Sequence, residues 1–380
     1  MCFVNMKLCY VANSRFPSER AHMTQIVQMC NAFAQNGHEV TLLVTDRKTD
    51  ILEDPQVYFG TNFLFTVVRI SVPDIAGVSI HIPHILRPTT FLFQRLVFAV
   101  RSAVHIRRES YAYVYGRDEW ILWLLTHLVQ VPVVWESHEA KFSKVVRLLL
   151  AVSKKLIVIS EGIQSYYISQ GVPEHTILVA HDAVDERFFE PLCAQSEARK
   201  LLGITSQKPV VMYIGGLEEW KGAQTLFASA KDEDRFEVYA MGGKSHEKSA
   251  FEQKYPWVHF LGFFPYRGLP QYQQAGDILV IPNSAKTALS AEYTSPLKLF
   301  TYMTSKKPII ASRIPSITNV LEEHEAFFYT PDDIHSLHDT IISVLENREE
   351  SVRRAERAFE KSLQYTWKQR GLHIVNFVRS

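Results

Sequence analysis

A lysine near the start of a predicted helix is placed where it could bind a phosphate group. Ser295 and Pro296 precede a helical stretch that runs to Met303, and these residue types favour the cap and the first position of a helix. The unpaired backbone N–H groups of a first helical turn attract anions. Lys298 stands three positions after Ser295, where a self-contained capping box would have glutamate or glutamine, and its charge opposes the helix dipole unless an anion lies close by. The predicted anion site comprises Thr294, Ser295, Pro296, Leu297 and Lys298.

A second lysine, Lys221, follows a glycine turn that also suits phosphate. The apolar run at residues 209–214 predicts a buried strand, which Gly215 and Gly216 end. A helical segment follows at residues 223–230, so strand, turn and helix occur in sequence and Lys221 can reach back over the turn. For both lysines the alternative is an ordinary helix start that carries a solvated side chain.

Segments spread over nearly the whole chain resemble glycosyltransferase family 4, a group of retaining nucleotide-sugar transferases with the GT-B fold. The order and spacing of these segments carry the resemblance. They lie at residues 17–22, 37–40, 136–139, 158–161, 181–185, 215–222, 295–300 and 365–370. The resemblance implies a nucleoside diphosphate sugar as donor, with Gly215 and Gly216 beside it and with Lys221 and Lys298 on its diphosphate.

Length and composition are those of a chain with two ordinary α/β domains. The chain has 380 residues, of which 47% are hydrophobic, and its formal net charge of +1 gives no reason to expect nucleic acid as a partner. The four cysteines are scattered and form no CxxC pair, which predicts a reduced, cytoplasmic location. The first residues lack a signal-peptide pattern, and no apolar run reaches the roughly 18 to 20 residues that cross a bilayer.

Basic residues are concentrated in the first half of the chain. Residues 87–155 contain eleven lysines and arginines against five aspartates and glutamates. Within this stretch, residues 91–101 mix large apolar side chains with arginines, as an interfacial helix does. The pattern predicts either peripheral contact with an anionic membrane surface, on its inner face, or a core-facing helix with solvated arginines.

Alternating strand and helix signals predict two α/β domains. Apolar runs in the first half are separated by helical segments, a pattern typical of a parallel sheet with helices on both faces, and the pattern restarts at residue 209. We therefore predict the GT-B arrangement of two Rossmann-like, doubly wound domains that face each other across a cleft. Residues 1–190 would form the acceptor domain and residues 191–363 the nucleotide-sugar donor domain. The resemblance adds a C-terminal helix at residues 364–380 that crosses back onto the first domain.

His138 is the first candidate for function in the amino-terminal domain. It follows the strand predicted at residues 131–135, and its counterpart in the family approaches the transferred sugar. The alternative is a histidine held in a structural ion pair by Glu136 or Glu139. Arg20 and His22, in the loop after the first strand, are weaker candidates for the phosphate or acceptor side.

The resemblance implies transfer of a glycosyl group to an acceptor hydroxyl with retention at the anomeric carbon. The acceptor would be a glycan or a lipid-linked molecule, in polysaccharide, lipid-linked glycan or glycolipid synthesis. Negative charge collects on the leaving diphosphate in such a transition state, and the two lysines are placed to stabilise it. We expect no cofactor and no metal, because lysines and helix dipoles can neutralise the diphosphate. The DxD spacing at residues 232–234 is more typical of a solvated loop here.

Two positions depart from the family pattern. Gly216 stands where the family has arginine, and Thr301 stands where it has a glutamate that binds the nucleotide ribose. Two lost charge-assisted contacts, at roughly 1.5 to 3 kcal/mol each, would weaken donor binding about a hundredfold to ten-thousandfold unless other groups compensate. Three hypotheses follow. The chain is an active transferase in which Thr301 makes a weaker ribose contact, a degenerate GT-B protein that acts as partner or scaffold of another glycosyltransferase, or an enzyme of nucleotide-sugar epimerisation or hydrolysis.

Overall fold

The computed structural model describes residues 5–19, 21–73, 87–190, 192–243 and 245–380. Within these residues the chain forms two compact units. The first unit contains the described residues up to Ile159, together with Ile163–Ala180 and Trp367–Ser380, and the second contains Ser160–Gly162 and His181–Thr366. Among the helices of the described residues, none has the length and apolar character that a membrane crossing requires.

A seven-stranded parallel sheet forms the centre of the first unit. Its strands are β1 (Lys7–Ala12), β2 (Glu39–Thr45), β3 (Thr66–Ile70), β4 (Tyr113–Gly116), β5 (Val133–Ser137), β6 (Leu156–Val158) and β7 (Ile177–Val179). They follow the spatial order β3-β2-β1-β4-β5-β6-β7. The central strands are apolar along nearly their whole length, because helices cover both faces of a doubly wound parallel sheet.

The helices of the first unit connect these strands, and the last helix of the chain returns to the same unit. They are α1 (Ala21–Gln35), α2 (Pro55–Phe59), α3 (Arg87–Arg108), α4 (Glu119–Leu128), α5 (Lys144–Val152), α6 (Glu161–Ser169) and, at the C-terminus, α16 (Trp367–Arg379). The first two residues of α6 belong to the second unit. Gly371 of α16 lies against Ala32 of α1, where a Cβ atom on the glycine would be only 3.2 Å from the alanine Cβ. Asn36 donates a 2.8 Å hydrogen bond to the Lys368 carbonyl, so the end of α1 is tied to α16.

A six-stranded parallel sheet forms the centre of the second unit. Its strands are β8 (Val210–Ile214), β9 (Glu237–Met241), β10 (Val258–Gly262), β11 (Ile278–Ile281), β12 (Ile309–Ser312) and β13 (Phe327–Tyr329), in the order β10-β9-β8-β11-β12-β13. Alternate residues of each strand enter two separate hydrophobic clusters, one on each face of the sheet. Met212, for example, packs on one face, while Val211 and Tyr213 pack on the other.

Helices flank this second sheet as well. They are α7 (Gln195–Leu201), α8 (Ala223–Ser229), α9 (Ser245–Lys254), α10 (Leu269–Gln273), α11 (Ala288–Ala291), α12 (Leu297–Met303), α13 (Pro315–Thr318), α14 (Ile334–Glu346) and α15 (Arg348–Ser362). A short 3₁₀ turn, Glu219–Lys221, precedes α8. Both units are therefore α/β layers built on a parallel sheet.

The units divide at residues other than those expected from the sequence. The sequence places the boundaries at 190/191 and 363/364, whereas the structure places them at 180/181 and 366/367. Val184 donates its N–H to the Tyr365 carbonyl at 2.8 Å, and the Val184 and Phe188 side chains lie in the core of the second unit. Packing thus assigns residues 181–190 to the second unit, although the composition of this segment marks no boundary at 180/181.

Candidate active site

Strand β8 lies where the strand order of the second sheet reverses. Its neighbours are β9 on one side and β11 on the other, so the chain winds outward from β8 in both directions. Ligands of open parallel sheets bind beyond the carboxyl ends of the strands at such a reversal. Gly215 and Gly216 directly follow β8, so the glycine turn lies where a ligand is expected.

Neighbouring backbone holds the turn in place. The Gly215 N–H donates to the carbonyl of Met241, the last residue of β9, with an N···O distance of 2.8 Å. Gly242 approaches so closely that a Cβ atom on it would overlap the Gly215 carbonyl oxygen. Its φ of +115° also favours glycine. The absence of a side chain at Gly242 therefore lets the ends of β8 and β9 meet at the turn.

Lys298, in the first turn of α12, reaches this glycine turn. Its Nζ donates a 3.0 Å hydrogen bond to the Tyr213 hydroxyl and lies 4.2 Å from the centre of the Tyr213 ring. The buried Tyr213 hydroxyl in turn donates to the Gly216 carbonyl at 2.5 Å. A Cβ atom on Gly215 would be only 2.9 Å from Lys298 Nζ. The ammonium group is therefore fixed against the turn by a neutral phenol.

The electrostatic surroundings of Lys298 disfavour its charge. Burial, and then the nearby positive charge of Lys221, lower the pKa of Lys298 well below its ordinary value. The carboxylate of Glu218 acts in the opposite direction but does not outweigh them. A lysine whose ammonium form is destabilised in this way gains when an anion binds beside it.

Lys221, which follows the glycine turn in the sequence, also reaches this turn. It ends the 3₁₀ turn Glu219–Lys221, and Gly222 follows with a φ of +68°. A Cβ atom on Gly222 would overlap the Pro282 carbonyl oxygen, so only glycine fits there. Lys221 Nζ lies 2.8 Å from the carboxylate of Glu218, and a Cβ atom on Gly216 would be 2.6 Å from the same Nζ.

The structure thus brings the two predicted lysines to one pair of glycines. Two ammonium groups over a single turn suit a ligand with two adjacent negative groups, such as a diphosphate. Sequence reasoning missed two members of this cluster. Tyr213 has the pattern of any buried strand residue, and Glu218 that of a solvated loop residue; only the proximity of each to the turn along the chain could have suggested a role.

The start of α12 differs from the prediction. The helix begins at Leu297 with Pro296 in the cap position, and no side chain caps it. The buried Ser295 hydroxyl instead accepts a 2.9 Å hydrogen bond from the Asp182 backbone N–H. Ser295 therefore anchors the strand-to-helix loop to a distant segment of the same unit, because the tertiary contact takes the oxygen that the local pattern would use. Thr294 and Leu297 are half-buried on either side of this anchor.

Thr301 is buried inside the second unit. Only 1% of its surface is exposed, and its hydroxyl donates to the Lys298 carbonyl of its own helix at 3.2 Å. The weaker ribose contact expected of Thr301 is therefore not supported by the structure. Its burial among the core residues of α12 is the physical reason.

In the first unit, His138 belongs to a buried polar network centred on Glu136. His138 Nε2 lies 2.5 Å from Glu136 Oε1, and only 16% of the histidine side chain is exposed. Arg370 of α16 donates to Glu136 Oε2 at 3.2 Å, and the Tyr115 hydroxyl donates to the same oxygen. Gln25 of α1 lies 3.5 Å from His138 Nε2. The network joins α1, β4, β5 and α16, and sequence reasoning identified neither Arg370 nor Tyr115 as members.

This network fixes the protonation of its members. Burial and the charge of Arg117 lower the pKa of His138 to about 3, although the bond to Glu136 opposes them. Burial disfavours the Glu136 carboxylate, but the charge of Arg370 and the bond from His138 outweigh it and hold the pKa of Glu136 well below its ordinary value. Near neutral pH His138 is therefore a neutral imidazole. Its Nε2–H donates to Glu136, since an ionised carboxylate can only accept.

The structure describes one of the two weaker candidates in the loop after β1. His22 Nε2 lies 3.1 Å from the Ser14 hydroxyl at the carboxyl end of β1, and Arg20 is outside the described residues. Among the described residues, no group of three or more histidine, cysteine, aspartate or glutamate side chains is arranged to hold a metal ion.

Two family models match the chain. A model described as Glycosyltransferase Family 4 matches residues 24–188, and a model described as Glycosyl transferases group 1 matches residues 208–347. The first match includes His138, and the second includes Lys221 and Lys298. No curated protein sequence matches the chain.

Solved structures of glycosyltransferases share the fold. Sucrose-phosphate synthase from Thermosynechococcus elongatus is 17% identical with a TM-score of 0.77, and the match covers 99% of this chain and 98% of that one. Anabaena HepE in complex with UDP and glucose is 16% identical with a TM-score of 0.75, covering 99% and 100% of the two chains. A glycosyltransferase from Rickettsia africae is 12% identical with a TM-score of 0.74, covering 99% and 98%. The fold is GT-B, with two Rossmann-like α/β units.

Proposed function

The chain belongs to glycosyltransferase family 4, and we propose that it transfers a glycosyl group from a nucleoside diphosphate sugar to an acceptor hydroxyl with retention of the anomeric configuration. One observation carries the proposal. Lys221 and Lys298, which are 77 positions apart in the sequence, both bring their Nζ atoms to the Gly215–Gly216 turn at the carboxyl end of β8. The complexes of HepE with UDP and with UDP-glucose support a nucleoside diphosphate sugar as the donor.

In the proposed reaction the two lysines stabilise the leaving diphosphate. As the bond to the anomeric carbon breaks, negative charge develops on the diphosphate oxygen, and preorganised positive groups lower the barrier at that point. Lys298 is held by Tyr213 rather than by a carboxylate, so its ammonium group remains available to a phosphate oxygen. For retention, the leaving phosphate itself would accept the proton of the acceptor hydroxyl on the same face of the sugar. No metal or other cofactor takes part in this proposal.

We assign His138 to the sugar or acceptor rather than to the diphosphate. Its neutral imidazole cannot donate an acidic proton near neutral pH, because its pKa lies at about 3. The imidazole can accept a hydrogen bond at Nδ1 while its Nε2–H group continues to donate to the Glu136 carboxylate. That polarity suits a sugar hydroxyl or the acceptor hydroxyl before transfer.

A second partner of the proposed enzyme is an anionic membrane surface. Helix α3 buries Phe98, Ala99, Ala103 and Ile106, and it exposes a second apolar stripe at four-residue spacing, formed by Leu92, Leu96, Val100 and Val104. A stripe at this spacing lies along one side of a helix. The surrounding stretch carries the excess of basic residues, which favours contact with an anionic lipid surface at the cytoplasmic side. The acceptor would then be a glycan or a lipid-linked molecule at that surface.

A scaffold function remains the competing proposal because two specific observations favour it. Gly216 lacks the arginine of the family pattern, and the buried Thr301 offers no replacement for the ribose-binding glutamate. A protein without these contacts could retain the fold while it binds another glycosyltransferase and not a donor.

Calorimetric titration with UDP-, GDP- and ADP-sugars separates the two proposals. The active enzyme should bind at least one donor with micromolar affinity, and Lys221→Ala should weaken that binding about tenfold or more, as expected for a lost contact to a charged group. Lys208→Ala is a matched control, because this exposed lysine precedes β8 at the end opposite the glycine turn. Millimolar or absent binding of every donor would favour the scaffold.

A further inference from the structure

Glu218 lies inside the cluster formed by the two lysines and the glycine turn. Its Oε2 atom is 2.8 Å from Lys221 Nζ, and a Cβ atom on Gly216 would overlap that same oxygen. The Glu218–Lys221 ion pair therefore lies directly over Gly216. It occupies the space that any side chain at residue 216 would need.

Glu218 also cancels part of the positive charge in this cluster. Burial disfavours its carboxylate, but the hydrogen bond from Lys221 and the charges of Lys221 and Lys298 outweigh burial and lower the pKa of Glu218. The same carboxylate favours the ammonium form of Lys298. The carboxylate thus contacts Lys221 directly and acts on Lys298 through its charge alone, as an anionic phosphate group beside the two lysines would.

The position of Glu218 allows it to leave the cluster. Its side chain is 52% exposed, so the carboxylate can be hydrated again at small cost once it leaves Lys221. Lys221, in contrast, is mostly buried beside the Trp220 ring, with its Nζ 5.2 Å from the ring centre. The lysine therefore stays at the turn while the glutamate is the movable partner.

We propose that Glu218 is an affinity- and specificity-determining residue of the donor site, an internal anion that occupies the diphosphate position until a donor displaces it. This inference rests on the proposed function of the same site. Displacement favours a ligand that engages Lys221 and Lys298 together, and a diphosphate has two phosphate groups with which to do so. The glycine at residue 216 is then required by Glu218, because a larger side chain would take the place of the carboxylate.

Binding of inorganic pyrophosphate to wild type, Glu218→Gln and Glu219→Gln tests the inference by calorimetry at fixed salt. Glu218→Gln should bind pyrophosphate roughly two- to fivefold more tightly, which is the range expected when an exposed ion pair no longer has to be broken. Glu219→Gln removes the same charge from the neighbouring, exposed residue and should leave the affinity unchanged. Glu218→Ala should reproduce the gain without the hydrogen-bonding amide.

Three results test this inference separately from the proposed function. Equal or weaker binding of pyrophosphate by both Glu218 variants, with melting temperatures that show folded protein, would overturn the inference. If these variants bind pyrophosphate more tightly but neither wild type nor variant transfers sugar from any nucleotide sugar, the result would support displacement of the Glu218 carboxylate by the ligand. The same result would contradict the proposed transferase activity. An equal gain in Glu219→Gln would reduce the effect to general surface charge and would also overturn the inference.

Discussion

Lys298→Met should weaken donor binding and stabilise the second unit at the same time. Methionine keeps an unbranched apolar stem and removes the charge. The change removes a charge-assisted contact to the donor diphosphate, which is worth about 1.5 to 3 kcal/mol, or roughly a 10- to 150-fold loss of affinity. In the free protein, burial and Lys221 both oppose the Lys298 charge, so its removal should raise the free energy of unfolding.

The hydrogen bonds around Lys298 support the sign of the stability effect. Tyr213 loses the lysine as a donor but keeps its own 2.5 Å bond to the Gly216 carbonyl, so no buried hydroxyl hydrogen is left without an acceptor. The linkage has the same sign. Because the pKa of Lys298 is lower in the folded state, the unfolded state binds more protons, and wild-type stability rises with pH between the folded and unfolded pKa values. This rise should be smaller in Lys298→Met.

Calorimetric titration and thermal unfolding together measure both effects. A gain of 1 kcal/mol corresponds to about 2 to 4 °C for a unit of this size. Lys208→Met is the control, since an exposed lysine at the other end of β8 should change neither quantity. Unchanged donor affinity would refute the role of Lys298 in binding diphosphate, and a marked loss of stability would refute the electrostatic account of its surroundings.

Four more predictions concern Lys298, His138, Arg370 and Leu96. Binding of a nucleoside diphosphate sugar should raise the pKa of Lys298, so the complex takes up protons as it forms. Donor affinity should therefore fall as the pH rises through the pKa that Lys298 has in the free protein. Calorimetry in buffers of different ionisation enthalpy should detect the proton uptake in wild type but not in Lys298→Met. His138→Ala should lower kcat about 2- to 10-fold, as expected for one lost neutral hydrogen bond, and should change donor affinity less than about twofold. The opposite pattern in steady-state kinetics would reassign the residue. Arg370→Met leaves the Glu136 carboxylate buried without its charged partner and should lower the free energy of unfolding, measured by chemical denaturation, by about 3 to 5 kcal/mol. A loss below about 1 kcal/mol would show that the ion pair contributes little to stability. Leu96→Glu should reduce flotation of the protein with anionic liposomes. Equal flotation of the wild type with anionic and neutral liposomes would contradict an anionic membrane surface as a partner.

Strands and turns could be predicted from the sequence because their signals are local. The apolar run at residues 209–214 becomes β8, and the glycines that follow it form the turn. A strand buried on both faces has a continuous apolar sequence, which is why the parallel sheets were evident. The convergence of Lys221 and Lys298 did not follow from such local signals. It was implied by the resemblance to glycosyltransferase family 4, which places both lysines on one diphosphate.

The contacts that could not be predicted join residues far apart in the sequence. Ser295 has the local pattern of a helix cap, but the N–H group that it binds belongs to Asp182, 113 positions away. Glu136 and Arg370 form a buried pair across 234 positions, and no spacing rule connects them. The Glu218–Lys221 pair is local, yet its position over Gly216 depends on the three-dimensional turn. Tertiary packing decided each of these outcomes.

Lys298 is a residue at which stability and binding make opposite demands. Most first-turn positions would be more stable with a neutral or acidic side chain, because the amino end of a helix is already positive. Here the lysine is also partly buried and next to a second lysine, while Tyr213 holds it in place without neutralising it. Glu218 relieves part of the repulsion only by occupying the turn, and its exposure lets it leave. An arrangement that is electrostatically unfavourable when empty and complementary to a diphosphate when filled is better explained by selection for anion binding than for the fold alone.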